Sequence, residues 1–370
     1  MGKSVLISGA GVAGSTAAYW LARGGFRVTV VERAAGQRSS GNPVDVKGDA
    51  VGIVERMGVL PRLREVASRI DRLVFVDTDG RVRGGIRTAA FQGSAGNSEI
   101  EVPRAELASV LLSATRDHAD IRWGDAISGL GQTGNGVEVT FERGAPERFD
   151  LVIGADGLHS AVRRLSFGPE TEFVRHMGMY VATLPVDRPL RGEREVVMVN
   201  SPGLSLAVHP ASGNPGAAFI FHHAAVPGFD HRDSEQHKRI VTEAYADRLG
   251  SFAHYLDRVR AAEDLYFDAV SRVRLPHWSI GNITLLGDAA SSLSLFGDGS
   301  TLAVIGGHTL AEELGRGPED IPAALRRYER RHRAVVAPRA RGFLLASRLL
   351  VPKSRAGITL RDTAVRLLRG

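Results

Sequence analysis

Cysteine is absent from this chain of 370 residues. Without thiols there is no disulfide framework, no thiolate nucleophile, no redox-active CxxC pair and no zinc or iron–sulfur site built on cysteine. A chain of this length can bury about three quarters of its unfolded surface, so it needs no such cross-link. The sequence also lacks an apolar run of about 18 residues, so we expect no membrane-spanning helix.

Lysine is scarce as well: it occurs four times, so 43 of the 47 basic residues are arginine. The formal net charge is +6 and the isoelectric point is near 9.9. Nucleic-acid binding would require basic residues interleaved with aromatics along one stripe, and aromatics make up only 6% of the chain. Only the segment from Arg326 to Arg369 is strongly basic. The composition therefore predicts no nucleic-acid partner.

No signal-peptide pattern precedes the first apolar run. Met1-Gly2-Lys3 leads directly into this run, so we expect a cytoplasmic protein. Apolar residues make up 43% of the chain and charged residues 24%, which is typical of globular domains and excludes collagen-like and coiled-coil architectures. The length predicts two or three folding units.

The first 32 residues have the pattern of a β-α-β unit. Residues 4–8 form a short apolar run, residues 15–24 have apolar side chains at helical spacing, and residues 26–31 form a second apolar run. Between the first strand and the helix stands GAGVAG, residues 9–14, which has the GxGxxG spacing. This order predicts a dinucleotide-binding turn.

Each glycine of this turn has a physical role. Gly9 allows a tight turn, Gly11 lets the backbone approach a pyrophosphate, and Gly14 lets the helix pack closely on the sheet. The N-terminus of the helix then offers N–H groups and a positive dipole to the phosphates. Glu32, at the end of the second strand, can accept hydrogen bonds from an adenosine ribose. An acidic residue here fits FAD or NAD, and not NADP.

Two later motifs favour FAD over NAD. Residues 150–157, DLVIGADG, form a predicted strand that ends in an Asp-Gly turn, and residues 285–290, LLGDAA, form a strand followed by Gly-Asp. An aspartate just after a strand can accept hydrogen bonds from a polyhydroxyl chain, which the ribityl group of a flavin provides and NAD lacks. A helix that begins near Ser300 would direct its positive end at a ring that becomes negative on reduction.

The remaining sequence predicts an α/β fold. Helical patterns occupy residues 50–58, continued at 60–67, whereas residues 172–273 have the short strands of an antiparallel sheet with one helix at 234–249. Helical patterns return after residue 300. We expect a GxGxxG-type FAD-binding domain at 1–71, 101–171 and 276–345, a discontinuous, mostly antiparallel β-sheet substrate domain at 72–100 and 172–275, and a C-terminal helical tail at 346–370.

In this order, the three motifs resemble those of the class A FAD-dependent monooxygenases, the p-hydroxybenzoate hydroxylase-like aromatic and polyketide hydroxylases. The resemblance extends to about residue 345. It implies that Lys47 lies in a segment near the flavin ring, that Arg104 contacts FAD and that Asp288 binds the ribityl chain. The cofactor-binding residues that it implies are Gly9, Gly11, Ala13, Gly14, Glu32, Arg33, Lys47, Arg104, Asp156, Gly157, Gly287, Asp288, Gly299, Ser300 and Thr301.

The resemblance also implies an activity. Members of this class use NADH or NADPH to reduce FAD. The reduced flavin reacts with O2 to form a C4a-hydroperoxide, which hydroxylates an aromatic or polyketide-like small molecule. Because the flavin supplies the chemistry, no catalytic side chain and no metal ion are predicted.

Two positions depart from the family pattern. Relatives often have histidine after GDAA and proline before the next glycine loop, where this chain has Ser291 and Leu295, and the loop is one residue shorter before Gly297. Two other functions therefore stay open. One is a FAD-dependent oxidoreductase that does not insert oxygen, and the other is a non-catalytic flavin-fold protein that binds a ligand. The oligomeric state is also open.

Other side chains have two interpretations each. Four histidines could suggest a metal site, but no carboxylates stand at ligand spacing, so solvent-facing strand histidines are favoured. The four are His209, His222, His223 and His231. Phe219 and Phe221 fit either a pocket or the core. Asp298 fits a loop cap or a proton relay near the flavin. The apolar stripe at 343–350 fits a helix docked on its own protein better than one on a membrane.

Overall fold

The computed structural model of the protein describes residues 2–37, 43–87, 99–134, 136–263, 265–292, 298–339 and 343–367. A six-stranded sheet contains both strands of the predicted β-α-β unit. Its strands, in spatial order, are β17 (Ser279–Ile280), β18 (Ile283–Leu285), β11 (Leu151–Gly154), β1 (Ser4–Ser8), β2 (Arg27–Glu32) and β7 (Asp120–Trp123). All neighbours are parallel except β17 and β18. Because parallel sheets are covered on both faces, β1 and β11 are apolar and almost wholly buried.

Helices cover this sheet and form the largest hydrophobic core with it. The long ones are α1 (Val12–Arg23), α4 (Arg104–Thr115), α10 (Asp298–Gly315) and α11 (Ile321–Arg339). The short ones are α2 (Asp49–Arg56), α3 (Leu60–Glu65), α5 (Ala161–Ser166), α6 (Glu170–Phe173) and α9 (Asp288–Ser291). Helix α1 packs against α4 and α10. A Cβ on Gly307 of α10 would lie 2.9 Å from the backbone nitrogen of Ala17, so these two helices are in backbone contact.

Two small antiparallel sheets flank the six-stranded sheet. The first contains β10 (Glu147–Phe149), β9 (Gly136–Phe141) and β8 (Ile127–Thr133). The second, here called the β3–β6 ribbon, pairs β3 (Pro43–Lys47) with β6 (Glu99–Pro103). Strand alternation buries Val46 and Val102 on one face and places Asp45 and Lys47 together on the other. Strand β3 contacts α10, so the ribbon joins the N-terminal third of the chain to its C-terminal third.

A seven-stranded sheet forms the second large unit. Its strands, in spatial order, are β16 (Tyr266–Val273), β12 (Val174–Pro185), β15 (Gly216–His222), β14 (Leu204–His209), β13 (Glu195–Ser201), β4 (Arg72–Val76) and β5 (Val82–Arg87). Only β13 and β4 are parallel neighbours. Helices α7 (Ser234–Tyr245) and α8 (His254–Ala261) cover one face, where Phe219, Phe221 and Tyr245 are fully buried.

Two helices near the C-terminus, α12 (Phe343–Leu350) and α13 (Arg355–Leu367), follow α11. Val365 of α13 packs with Phe75 and Met198 on the face of the seven-stranded sheet that α7 and α8 leave free. Leu350, the last residue of the predicted apolar stripe at 343–350, also packs against this cluster, which supports the expectation that the stripe docks on its own protein. Within the described ranges, no helix has the length and apolar composition needed to cross a membrane.

One buried cation fixes α13 to the sheet. Arg361 donates from Nη1 to Oδ1 of Asn200 at 2.6 Å and from Nη2 to Oδ1 of Asp362 at 2.8 Å. Its guanidinium lies 3.9 Å from the centre of the Phe75 ring. Burial lowers the pKa of Arg361, and the charge of Asp362 partly offsets that effect. The pairing allows a charged group to lie under the helix.

The elements differ from the sequence-based expectations in several places. Residues 172–273 were expected to hold one helix, but α8 (His254–Ala261) is a second one there. The predicted helix at 50–67 is two helices, because Gly58 has φ +76° and the backbone N–H of Val59 closes onto the carbonyl of Val54, which ends the first helix. The predicted helix at 234–249 ends at Tyr245, and Asp247 then adopts φ +55°. The β3–β6 ribbon was not predicted as strands, since each strand is short and its partner lies some 55 residues away.

We expect Arg361→Ala to lower the free energy of unfolding by about 3–5 kcal/mol, because it leaves the buried carboxylate of Asp362 unpaired. Chemical denaturation of the purified protein measures this change. Arg355→Ala, at the exposed start of the same helix, is the matched control and should change stability by less than about 0.5 kcal/mol. Equal losses for the two variants would show that Arg361 does not anchor α13.

Candidate functional site

The glycine turn between β1 and α1 lies where parallel strands end together. Gly9 has φ +104°, and a Cβ there would lie 2.5 Å from the carbonyl oxygen of Ala155, which precedes the Asp-Gly pair. A Cβ on Gly14 would lie 1.9 Å from the carbonyl oxygen of Gly9. A side chain at either position would collide with backbone atoms. Close packing therefore requires glycine at both positions.

Gly11 is in a different environment. No atom of the described residues lies within 4 Å of the point that its Cβ would occupy. Its φ of −75° is accessible to any residue, so the conformation does not require glycine. No side chain in the described ranges caps α1, which begins at the next residue. Open space in front of an uncapped helix N-terminus suits an anionic group such as a pyrophosphate.

Glu32 lies beside this turn at the end of β2. Its Oε2 accepts the N–H of Ala10 at 2.9 Å, and its Oε1 accepts the N–H of Ala34 at 3.0 Å. Each carboxylate oxygen has a second lone pair, so both can still accept a hydroxyl hydrogen bond. Arg33 instead forms an ion pair with Glu142 at 2.9 Å, and both of these side chains are about half exposed. The structure therefore brings Glu32, and not the Arg33 guanidinium, to the turn.

The Gly-Asp motif lies against the same turn, although it comes from the C-terminal third of the chain. Gly287 has φ +62°, and a Cβ there would lie 2.8 Å from the Cβ of Ala13. Asp288 begins α9 and is half-buried. Burial raises the pKa of the Asp288 carboxyl, and the positive charge of Arg104 partly offsets this rise. A Cβ on Gly299 would lie 4.0 Å from Oδ1 of Asp288, so α10 starts at the same place.

Lys47 connects the β3–β6 ribbon to the start of α10. Its Nζ lies 3.0 Å from Oδ1 of Asp298 and 3.5 Å from Oδ2 of Asp45. Burial opposes protonation of Lys47, but these two carboxylates outweigh it and raise the pKa. Burial also raises the pKa of Asp45 to about 6, against the charge of Lys47. Thr301 donates to the Asp45 carbonyl at 2.8 Å, and Ser300 is buried beside it in the first turn of α10.

The Asp-Gly pair has a structural role at α5. The carboxylate of Asp156 accepts the N–H groups of Ala161 at 2.8 Å and Val162 at 3.1 Å, and also the hydroxyl hydrogen of Ser160. These bonds satisfy donors at the start of a helix. Gly157 follows with φ +80°. The predicted contact of this pair with a cofactor stays a prediction.

Each of the four candidate histidines contacts a different partner. His209 is buried and its Nε2 lies 2.9 Å from Oε1 of Glu101, so the expectation that it faces solvent is wrong. The Nε2 of His222 lies 3.1 Å from the carbonyl oxygen of Val351. His223 is exposed, and its Nδ1 lies within 2.7 Å of the neighbouring carbonyl of residue 224. In the described part of the chain, no group of three or more His, Asp or Glu is arranged to hold a metal ion.

The positions of the remaining candidate residues decide between their two interpretations. Phe219 and Phe221 belong to the core under α7 and do not line a pocket. Asp298 pairs with Lys47 and begins α10. Of the positions that depart from the family pattern, Ser291 ends α9, whereas Leu295 and Gly297 lie outside the described residues.

Residues 3–340 match the family described as FAD binding domain. The chain belongs to this FAD-binding family. A flavin-dependent monooxygenase of Legionella longbeachae is 32% identical to it over 334 residues, which span 88% of this chain and 83% of that protein. An uncharacterised protein of Mycobacterium tuberculosis is 38% identical over 330 residues, 88% of each chain.

Solved structures agree with this family. The tetracycline destructase Tet(51) superposes with a TM-score of 0.85 at 26% identity and covers 100% of this chain and 96% of its own. The Klebsiella pneumoniae protein HpxO, complexed with FAD and uric acid, has the same fold with a TM-score of 0.76 at 22% identity, over 99% of this chain and 93% of that one. The predicted family of flavin-dependent monooxygenases and its cofactor, FAD, are confirmed.

The geometry around the turn fits FAD. The open space at Gly11 suits the pyrophosphate, and the spare lone pairs of Glu32 suit the adenosine ribose. The half-buried carboxylate of Asp288, with Arg104 nearby, suits a hydroxyl of the ribityl chain. The positive end of α10 lies beside Asp288, a position that suits the flavin ring expected there. These four features lie in one continuous region, because Ala13 contacts Gly287.

Three charged residues around this region were not predicted from the sequence to belong to the site. Arg163 is fully buried and donates to the carbonyl of Ala289 at 3.1 Å, so it connects α5 to the helix of Asp288. Asp45 lies on the ribbon, opposite Glu101. Asp268 lies in β16 and contacts a tyrosine of the same strand. An acid within an apolar strand, as in YFDAV at 266–270, was a signal available in the sequence.

Gly14→Ala should lower stability, whereas Gly11→Ala should lower FAD affinity with little change in stability. An alanine at position 14 collides with the Gly9 carbonyl, so the free energy of unfolding of the apoprotein should fall by about 1–3 kcal/mol or more. An alanine at position 11 meets no protein atom, so stability should change by less than about 1 kcal/mol while FAD affinity falls. Denaturation and flavin fluorescence titration measure the two effects. Normal FAD binding by Gly11→Ala would contradict the placement of the pyrophosphate.

Proposed function

We propose that this protein is a FAD-dependent monooxygenase that uses NADH or NADPH and O2 to hydroxylate an aromatic or polyketide-like small molecule. The observation that carries the proposal is the meeting of all three sequence motifs at one turn. Gly9 contacts the carbonyl of Ala155, and Ala13 contacts Gly287. These contacts join the ends of β1, β11 and β18 into one site for an extended dinucleotide.

The two large sheets would divide the work. In this proposal, residues 1–71, 101–171 and 276–345 form the FAD-binding domain, and residues 72–100 and 172–275 form the substrate domain. The face of the seven-stranded sheet opposite α7 and α8 carries buried apolar side chains, among them Met179, Val181 and Val270. Val351, which follows α12, is buried in the same cluster, so these three side chains contact the C-terminal segment and are not an open substrate surface.

In this proposal, the residues of this chain bind and orient the cofactor and shield the reacting groups from water. Glu32 and the N-terminus of α1 hold the adenosine and pyrophosphate, and Asp288 holds the ribityl chain. The positive charge of Arg104 lowers the pKa of Asp288, against the effect of burial. Lys47, held by Asp45 and Asp298, supplies a positive charge beside the start of α10. Bound FAD, once reduced by NADH or NADPH, supplies the activation of O2. The route of oxygen insertion expected from the sequence stays part of this proposal.

The relatives support the substrate class. The match to the tetracycline destructase Tet(51) extends over the whole of this chain at 26% identity, so the two sheets and the C-terminal helices have counterparts there. A polycyclic, oxygen-rich compound of polyketide type is the substrate class that this likeness favours. A tetracycline is therefore a suitable first probe.

The test begins with the colour of the purified protein. We expect a yellow preparation that contains FAD, or one that becomes yellow when FAD is added. Anaerobic NADH or NADPH should bleach the flavin, and isotopically labelled O2 should then add one labelled oxygen atom to the probe or to another polyketide, detected by mass spectrometry. Bleaching without label in any product would favour the oxidoreductase that does not insert oxygen. A protein that stays colourless in excess FAD would contradict the whole proposal.

Asp288→Ala should weaken FAD binding by about 1–3 kcal/mol, which is roughly 5- to 150-fold in Kd, because a hydrogen-bond acceptor is lost from a buried hydroxyl chain. The fold should persist. The matched control is Asp257→Ala, which removes an exposed carboxylate of α8 and should leave the flavin content unchanged. Equal flavin content in the two purified variants would argue against the assignment of Asp288.

A further inference from the structure

A carboxyl group of the seven-stranded sheet is directed toward the FAD-binding region. Phe267 and Ala269 of β16 belong to the core beneath α7 and α8. Successive side chains of a strand point to opposite faces, so Asp268 and Tyr266 lie on the other face. Helix α9, which begins with Asp288, packs against β16. Asp268 therefore lies at the junction of the two large sheets, beside the residue proposed to bind the ribityl chain.

The hydrogen bonding of Asp268 is incomplete. Its Oδ2 accepts a long hydrogen bond, at 3.4 Å, from the hydroxyl of Tyr266. Its Oδ1 is buried and has no hydrogen-bond partner among the described residues. A buried polar atom without a partner costs free energy, and such atoms in native proteins call for an explanation such as a functional role.

The charges around Asp268 allow it to change protonation state near neutral pH. Burial raises the pKa of Asp268 to about 6, His159 and a backbone N–H lower it, Asp288 raises it, and Tyr266 lowers it. Burial and the charge of Asp268 raise the pKa of Tyr266, whereas Arg104 lowers it. The phenol therefore stays protonated and can donate to the carboxylate. A carboxyl with a pKa close to the working pH is suited to proton transfer.

His159 connects this carboxyl to the surface. Its Nε2 lies 3.9 Å from Oδ1 of Asp268, and its Nδ1 lies 3.0 Å from Oε1 of Glu170. The His159 side chain is 29% exposed and that of Glu170 is 36% exposed. The ring of His231, from the loop between β15 and α7, stacks on His159 with their centres 4.0 Å apart. Burial, followed by the charge of His159, lowers the pKa of His231, so this neighbour tends to be neutral.

We propose that Asp268 and His159 form a proton relay, a role that rests on the proposed function. The relay connects solvent with the pocket in which the flavin and the substrate would meet. In one direction, the carboxyl O–H of Asp268 passes its proton to Nε2 of His159, and the ring releases the proton on Nδ1 to Glu170 or to water. Asp268 is left as a carboxylate that can accept a proton from the pocket. The separation of 3.9 Å exceeds a hydrogen bond, so transfer uses side-chain rotation or a bridging water.

A purely structural role makes a different prediction. If Asp268 and His159 were only an ion pair between the two sheets, loss of the carboxylate would destabilise the protein. In a relay with an unsatisfied carboxylate, the pKa of Asp268 is higher in the folded protein than in the unfolded chain. The free energy of unfolding then falls as the pH rises from about 4 to about 6, because the folded protein disfavours the ionised carboxylate of Asp268. Asparagine cannot ionise, so Asp268→Asn should not show this fall. The Tm of the apoprotein at pH 8 should therefore stay equal or rise in Asp268→Asn.

The decisive measurement is the reduction potential of the bound FAD as a function of pH. Reduction adds negative charge to the pocket, which raises the pKa of a nearby carboxyl and makes it take up a proton. The potential of the wild-type protein should therefore fall more steeply with pH just above pH 6 than that of Asp268→Asn. Asp268→Glu should restore the steeper slope. Asp257→Asn is the matched control: it makes the same change at an exposed carboxylate of α8 and should keep the wild-type slope.

The kinetic readout uses NADH and a tetracycline as probes. Asp268→Asn should lower the rate constant of the proton-dependent step by roughly 10²-fold or more with little change in KM, and should remove the limb of the pH profile near pH 6. His159→Gln should act in the same direction, which protects the test if one variant folds poorly. If the potential and the pH profile of Asp268→Asn match those of the wild type, or if its Tm falls as an ion pair predicts, the relay is wrong. A protein that binds no FAD would instead overturn the proposed function.

Discussion

Backbone-to-backbone contact at one turn is the constraint on which the rest of the structure depends. Three strands that are about 140 residues apart in the chain end together there, and their connecting segments approach more closely than side chains allow. Gly9 and Gly14 are the residues that make this possible, and Gly287 lets the C-terminal third of the chain approach the Cβ of Ala13. Since the segments meet at one place, an extended cofactor can contact all three at once.

The local part of this arrangement could be predicted from the sequence, because strand, turn and helix follow one another directly. The glycine turn, Glu32 and Asp288 therefore lie where the sequence analysis expected them, although their contacts with FAD stay predictions. Arg33 shows the limit of a linear motif: it is adjacent to Glu32, yet its partner is Glu142, which is 109 residues away. The end of α2 at Gly58 was also readable in the sequence, since glycine is the usual residue at such a helix end.

The residues that could not be predicted depend on contacts between distant segments. The β3–β6 ribbon forms only when two five-residue strands meet, and each strand alone has a weak signal. Arg163 is buried and Asp268 is half-buried, and each has a partner from another element, so their environments are properties of the folded protein. Periodicity shows which side of a strand is buried, but it does not show which element covers the other side.

The parallel pairing of β4 with β13 has a consequence for how the chain matures during synthesis. Residues 72–76 lack this neighbour until residues 195–199 have left the ribosome, and the sheet gains its last strand only at residues 266–273. Helix α13, which covers Phe75, emerges later still. The nascent polypeptide must therefore carry an unfinished sheet edge through most of its translation, which makes this edge a place where chaperones would be expected to act.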